Sequence, residues 1–191
     1  MTRTFTVLAG IITLLMLATI GVGLWYFVTE DRARRDEIFV SHFVLGLCTA
    51  LGILLVHCII FTYFLGTGRW VKEVTLAYRL PDEPWRKTTR ELKRATFPPA
   101  LFAMLIVIAT SAAGAGAQLQ AWHWSIHATL AFLTVIINLW AFGVEHRNVT
   151  ANAQVILDVL AEVDRQRAAQ GLPCNAAALE EEAIANGRAS G

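Results

Sequence analysis

The chain has 191 residues, of which 55% are hydrophobic and 16% are charged, and its mean hydropathy is +0.51. Soluble globular domains carry about 25% charged residues, so this composition excludes an ordinary soluble domain and predicts an integral membrane protein. The net charge of +1, with basic residues placed beside apolar segments, argues against a nucleic-acid partner. The three cysteines, Cys48, Cys58 and Cys174, have no paired spacing and predict neither a disulfide framework nor a structural zinc site.

Four apolar segments are long enough to cross a bilayer, which needs about 20 residues per helix. They cover approximately residues 5–28, 39–65, 97–117 and 121–144. The first is too long for a signal-peptide core and has no convincing cleavage site after it, so it predicts an uncleaved transmembrane helix. Only the short stretch 118–120 separates the last two segments, which makes those two helices antiparallel neighbours.

The segment from Gly66 to Thr96 carries half of all the Lys and Arg residues in the chain. It contains no apolar run long enough to cross a membrane. Because short Lys/Arg-rich loops stay on the cytoplasmic side, this segment predicts an inner (plasma) membrane protein with both termini in the cytoplasm. The loop from Thr29 to Glu37 is then non-cytoplasmic.

The second span is expected to continue as a helix beyond the membrane until Pro81 ends it. Asp82 is predicted to cap a short amphipathic helix from Trp85 to Ala95. The two prolines that follow Thr96 predict a separate helix start there, because proline is tolerated in a first turn. The connection 66–96 is thus interpreted as cytoplasmic and helical.

The fourth apolar segment also continues as a helix. Its apolar stripe recurs at helical spacing and consists of Val149, Ile156, Val159, Leu160 and Val163. This extension is expected to pack on the Trp85–Ala95 helix or on a second copy of itself. The predicted fold is an all-α bundle of four transmembrane helices over residues 1–147, a cytoplasmic helical extension over 148–171 and a flexible tail over 172–191. No internal repeat is recognisable.

Histidines provide the candidate site, since ionisable side chains inside a membrane span are costly. His42 in the second span and His123 and His127 in the fourth lie at similar depth near the outer face. His123 and His127 are also one turn apart on the same side of their helix. Histidines from two facing helices at one depth can hold a b-type haem or, with a third ligand, a small metal ion.

Two further residues fit the haem interpretation. Gly46, one turn below His42, would let a porphyrin lie against the helix. Arg35, with its two arginine neighbours in the loop, offers guanidinium partners for propionate groups. The alternative interpretation is that His42 and His123 are hydrated residues at helix ends, within an aromatic belt.

His57 lies 15 residues after His42, roughly 22 Å deeper at helical rise. The fourth span offers no histidine at that depth, so a second bis-histidine haem is not expected. A neutral His57 hydrogen-bonded to Thr134 or Asn138 is predicted to link the helices. The four spans contain no Asp, Glu, Lys or Arg, which argues against a transporter or proton channel.

These patterns favour an electron-transfer or membrane-anchor subunit with one b-type haem bound by His42 and either His123 or His127. One alternative is a cofactor-free structural or assembly protein that docks a partner through its cytoplasmic helices. Another is a non-haem metal or quinone site at the same histidines. No hydrolase, phosphate-binding or zinc-protease motif occurs, so we expect no enzymatic activity of its own. The expected partners are the bilayer and another membrane or cytoplasmic subunit, or a second copy of the chain.

Overall fold

The structure, a computed structural model, describes residues 2–175 of the chain. This part is all-α, and its long helices are α1 (Thr2–Val28), α2 (Arg32–Ala77), α3 (Trp85–Gln118) and α4 (Trp124–Ala169). All four are long and apolar enough to cross a membrane. The all-helical class and the four candidate spans are therefore confirmed. The predicted loop from Thr29 to Glu37 is too long, because Asp31 caps α2 and the helix begins at Arg32. The fourth helix begins at Trp124 rather than at residue 121. The predicted flexible tail lies, from residue 176 onward, outside the described residues.

The four helices form an up-and-down bundle. α1 packs on α2 and α3 packs on α4, and contacts of α2 with α3 and of α1 with α4 close the ring. The connections 29–31 and 119–123 lie at one end, called here the hairpin end, and the connection 78–84 lies at the other, the extension end. α2 and α4 each have 46 residues, about 69 Å at helical rise, so they project beyond the shorter α1 at the extension end.

The bundle is apolar both inside and outside. Its interior is filled by large buried side chains such as Ile53, Ile60 and Phe64. On the outer faces Leu14 is 69% exposed and Phe102 is 62% exposed. Monomeric soluble proteins rarely expose apolar surface so extensively, so this outer surface is typical of a bundle that lies in lipid.

A second apolar cluster lies at the extension end. It consists of Val71, Leu80, Val155, Val159 and Val163. The part of α4 beyond Glu145 thus packs on the extended part of α2, and Trp85 at the start of α3 lies at the edge of the cluster. The stripe predicted for the extension is therefore buried largely within this chain.

The predicted separate helix start at Thr96 is wrong, because α3 runs without a break from Trp85 to Gln118. Pro98 and Pro99 lie inside this helix. Thr96 is buried, its hydroxyl donates to the carbonyl of Leu92 at 2.7 Å, and the same hydroxyl accepts from Asn148 Nδ2 at 2.9 Å. Packing on α4 therefore holds the segment helical despite the amide hydrogen bonds that two prolines remove.

The start of α3 also differs from the prediction. Pro84 occupies the N-cap position, and no side chain in the described part of the chain caps the helix. The Asp82 carboxylate, predicted as the cap, instead pairs with Arg86 at 2.8 Å. The Asp82 carboxylate therefore forms an ion pair with Arg86 instead of capping the helix.

Candidate cofactor site between two histidines

Two histidines meet between α2 and α4 near the hairpin end. The ring centroids of His42 and His127 are 6.1 Å apart, and the ring planes make an angle of 85°. Both residues are half-buried. Equal depth along two parallel helices predicted that these side chains would be neighbours, and the structure brings them together.

Each of the two rings is held by a backbone carbonyl of the preceding helix. His42 Nδ1 lies 3.1 Å from the carbonyl oxygen of Thr19, and His127 Nδ1 lies 3.0 Å from that of Thr110. A carbonyl oxygen only accepts hydrogen bonds, so Nδ1 carries the proton in both rings. In a neutral imidazole the Nε2 lone pair is then free, and within residues 2–175 neither Nε2 atom has a hydrogen-bond partner.

A glycine lies against each ring. A Cβ atom on Gly23 would come within 2.9 Å of the His42 ring, and one on Gly114 within 3.0 Å of the His127 ring. Carbon atoms normally pack at about 3.5–4.0 Å, so only glycine lets each ring approach the neighbouring backbone this closely. Each glycine lies four residues after the threonine whose carbonyl accepts from the ring. The glycine and the accepting carbonyl therefore lie on the same face of the helix.

The two helical hairpins repeat this arrangement. In each hairpin the threonine with the accepting carbonyl also bonds, through its hydroxyl, to a threonine seven residues after the histidine. These hydroxyl pairs are Thr19 with Thr49 at 2.9 Å and Thr110 with Thr134 at 2.6 Å. The hairpins α1–α2 and α3–α4 therefore share an approximate twofold relation. The sequence hides it because the threonine and histidine are 23 residues apart in one hairpin and 17 in the other.

His123 lies apart from this pair. It is exposed and occupies the N-cap position of α4, where its Nδ1 atom accepts a hydrogen bond from the Ser125 amide at 3.3 Å. Its ring lies beside Trp124, with centroids 5.3 Å apart. The side chain thus serves the start of the helix rather than the space between α2 and α4.

Gly46 and Arg35, the other predicted site residues, lie close to α1. A Cβ atom on Gly46 would make an ordinary contact of 3.7 Å with the Thr19 side chain. The guanidinium of Arg35 lies 4.8 Å from the centre of the Tyr26 ring. Within residues 2–175 Arg35 forms no ion pair with a carboxylate, so its charge at the hairpin end is available to an anionic group.

A second polar layer lies deeper in the bundle, around His57. His57 Nδ1 is 2.6 Å from Glu145 Oε1, and His57 Nε2 is 3.1 Å from Asn138 Oδ1. All three side chains are fully buried. The predicted contact with Asn138 is confirmed, whereas Thr134 contributes only its carbonyl oxygen, which accepts from Asn138 Nδ2 at 2.8 Å.

Glu145 is the member of this layer that the sequence did not reveal. It falls just beyond the fourth apolar segment, residues 121–144, and hydropathy gives it no role in the interior. The available signal was its spacing: Asn138, Glu145 and Asn152 recur at intervals of seven residues, and all three are fully buried. Polar residues at that period lie on one helix face.

The donor set at the outer histidine pair limits what it can hold. Among the described residues no group of three or more His, Cys, Asp or Glu side chains is arranged to hold a metal ion. Two imidazole nitrogens leave a bare zinc-like ion short of its usual four ligands. Two imidazole nitrogens match the number of protein ligands that a b-type haem takes, since the porphyrin provides the other four.

Comparisons with known protein families, with curated proteins and with solved structures find no match to this chain. The geometry of the histidine pair is therefore the basis for assigning a function.

Proposed function

We propose that this chain is a membrane-anchored electron-transfer subunit that binds one b-type haem between His42 and His127. The observation that supports it best is a pair of rings whose Nδ1 atoms are both hydrogen-bonded to carbonyls and whose Nε2 atoms have no partner among residues 2–175. Two imidazoles that bind one metal ion from opposite sides, each nitrogen at about 2 Å from it, would have centroids roughly 6 Å apart. The separation of His42 and His127 is 6.1 Å.

The residues around the rings would prepare them as ligands. A hydrogen bond from Nδ1 to a carbonyl fixes the tautomer and ring orientation and makes Nε2 a stronger donor to metal. Gly23 and Gly114 keep each ring against the backbone that holds it. A haem with two histidine ligands supplies one-electron transfer and leaves no axial position for substrate.

The bundle is proposed to lie in the inner membrane with its hairpin end outside. The basic segment between α2 and α3 would be cytoplasmic, and so would both termini. Trp25, Trp122 and Trp124 would form the aromatic belt at the outer interface. The haem would then lie near the outer face, and its electrons would pass to or from another subunit of the membrane complex.

The test is a reduced-minus-oxidised absorption spectrum of the detergent-purified full chain, produced with ample haem and iron. We expect a sharp Soret band and resolved visible bands of a low-spin haem. His42→Ala and His127→Ala should each abolish this low-spin spectrum. His123→Ala is the matched control, since it removes a histidine at the same end of the bundle, and it should leave the spectrum unchanged.

Two outcomes would overturn the proposal. The first is a flat difference spectrum from haem-supplied protein co-expressed with its native partners. It would favour the alternative of a cofactor-free structural protein that docks a partner through the extension end. The second is a low-spin spectrum that survives both alanine substitutions, which would move the ligands elsewhere.

A further inference from the structure

A pocket of about 370 Å³ lies between α2 and α3 at the extension end. Five of the residues that line it are cationic. They are Arg69 and Lys72 from α2, and Arg86, Arg90 and Lys93 from α3. Among residues 2–175 no carboxylate lines the pocket. Its charged lining there is entirely positive, and a concave surface of this kind concentrates anions.

Neighbouring carboxylates offset only part of this charge. The ion pairs are Arg69 with Glu73 at 2.7 Å, Arg86 with Asp82 at 2.8 Å and Arg90 with Asp82 at 3.8 Å. Among the described residues Lys72 and Lys93 pair with no carboxylate. Within the described part of the chain, two carboxylates thus accompany five cations, which leaves the pocket with a net positive charge.

One residue that lines the pocket carries a buried hydroxyl with no hydrogen-bond partner among residues 2–175. Thr89 lines the pocket and is 3% exposed, and its Oγ1 atom is buried with no hydrogen-bond partner within residues 2–175. Buried polar atoms are nearly always hydrogen-bonded in native proteins. Together with the cations, this hydroxyl indicates a site for a ligand rich in acceptor oxygens, as a phosphate group is.

The position of the pocket suggests the source of the phosphate. Leu65, the last residue of the second apolar segment, lines one edge of the pocket and is 56% exposed. Arg69 and Lys72 follow within the next two turns of α2. The surface therefore passes from apolar to strongly basic along the helix, as a phospholipid passes from acyl chain to phosphate.

We propose that this pocket binds the phosphate headgroup of an anionic phospholipid, with an acyl chain along Leu65. Basic pockets between transmembrane helices on the cytoplasmic side recognise such headgroups through charge and phosphate hydrogen bonds. A free phosphate would gain nothing from the apolar edge. The inference uses the membrane orientation proposed above but is independent of the histidine site.

The experiment is native mass spectrometry of the full chain in detergent, titrated with dioctanoyl phosphatidylglycerol. We expect saturable binding of one lipid that is tighter than binding of dioctanoyl phosphatidylcholine or of glycerol 3-phosphate. Each cation near a membrane surface is worth about fivefold in affinity, so Lys72→Gln with Lys93→Gln should weaken lipid binding about 25-fold. Lys72→Arg with Lys93→Arg keeps both charges and should retain binding.

The matched control is Lys87→Gln with Arg94→Gln. These two residues lie on the same segment of α3 but do not line the pocket, and their loss changes the net charge equally. Equal weakening by the control pair would overturn the proposal, because diffuse charge would then suffice. Phosphatidylcholine binding as tightly as phosphatidylglycerol would also overturn it. Glycerol 3-phosphate binding as tightly as the lipid would replace it with a site for a soluble phosphate compound.

Discussion

The two histidine layers of the bundle differ in what satisfies their rings. In the outer layer His42 and His127 each use Nδ1 to reach a backbone carbonyl, and no partner within the described residues 2–175 occupies either Nε2 atom. In the inner layer both nitrogens of His57 are taken by side chains, those of Glu145 and Asn138. The outer layer is therefore open to an external ligand, whereas both ring nitrogens of His57 are already hydrogen-bonded.

Neighbouring residues, rather than the histidines themselves, create this difference. Asn138 Nδ2 donates to a carbonyl, so its Oδ1 accepts from His57 Nε2, which must carry a proton. The 2.6 Å contact of His57 Nδ1 with Glu145 Oε1 then holds one further proton between them. Phe142, which lies 15 residues after His127 as His57 does after His42, stacks on the His57 ring at 5.4 Å. The approximate twofold relation thus breaks at the inner layer.

Breaking the inner layer should have the largest effect on stability. Glu145→Ala leaves His57 Nδ1 buried without a partner, and removing one member of a buried pair costs about 3–5 kcal/mol. Unfolding of the purified protein in detergent should show this loss. Asn138→Ala, which removes the weaker contact, should cost less. An unfolding curve unchanged by Glu145→Ala would mean that the pair is not buried in the folded protein.

The glycines of the outer layer should show the next largest effect. A methyl group at Gly23 or Gly114 would overlap the adjacent imidazole, and overpacking of this kind costs about 1–3 kcal/mol. The displaced ring would also leave its carbonyl, so haem binding should weaken with stability. Gly21→Ala is the matched control on α1, because its Cβ would meet nothing within 4 Å. If Gly21→Ala were as harmful as Gly23→Ala, the ring contact would not be the cause.

The threonine pairs test whether the two hairpins are equivalent. Thr49→Val and Thr134→Val each remove one hydroxyl of a pair, and polar contacts between membrane helices average about 0.6 kcal/mol. Similar losses of unfolding free energy are expected in the two variants. If only one variant lost unfolding free energy, the two hairpins would have similar geometry but the threonine pairs would contribute unequally to stability.

The features predicted correctly from the sequence are those that depend on a single helix and on the lipid around it. Long apolar segments such as residues 39–65 predict candidate spans directly, because a bilayer-spanning helix must be apolar over about 20 residues. The depth of a histidine follows from counting residues along its span at about 1.5 Å each. The helical class, the four candidate spans and the neighbourhood of His42 and His127 were accessible in this way.

The features that were missed depend on contacts between helices. Glu145 is charged and follows directly on an apolar segment, so hydropathy does not reveal that it is buried. Its partner His57 on another helix makes that burial tolerable. Pro98 and Pro99 read as a helix start until Asn148 of α4 is known to bond the adjacent Thr96. A local sequence pattern does not identify these hydrogen-bond partners. Asn148 lies 52 positions from Thr96, and Glu145 lies 88 positions from His57.

The smallest effect on stability is expected for replacement of His123. This residue belongs to neither histidine layer, so its variant serves as a reference for both. Histidine at the N-cap accepts one backbone hydrogen bond, and its replacement by alanine should cost at most about 0.5–1 kcal/mol in a fraying first turn. His127→Ala removes a side chain only four residues away, yet it should abolish the haem spectrum. Because both variants remove a histidine from the first turns of α4, a spectrum lost in both would show that the start of α4, not the ring of His127, is what the cofactor requires.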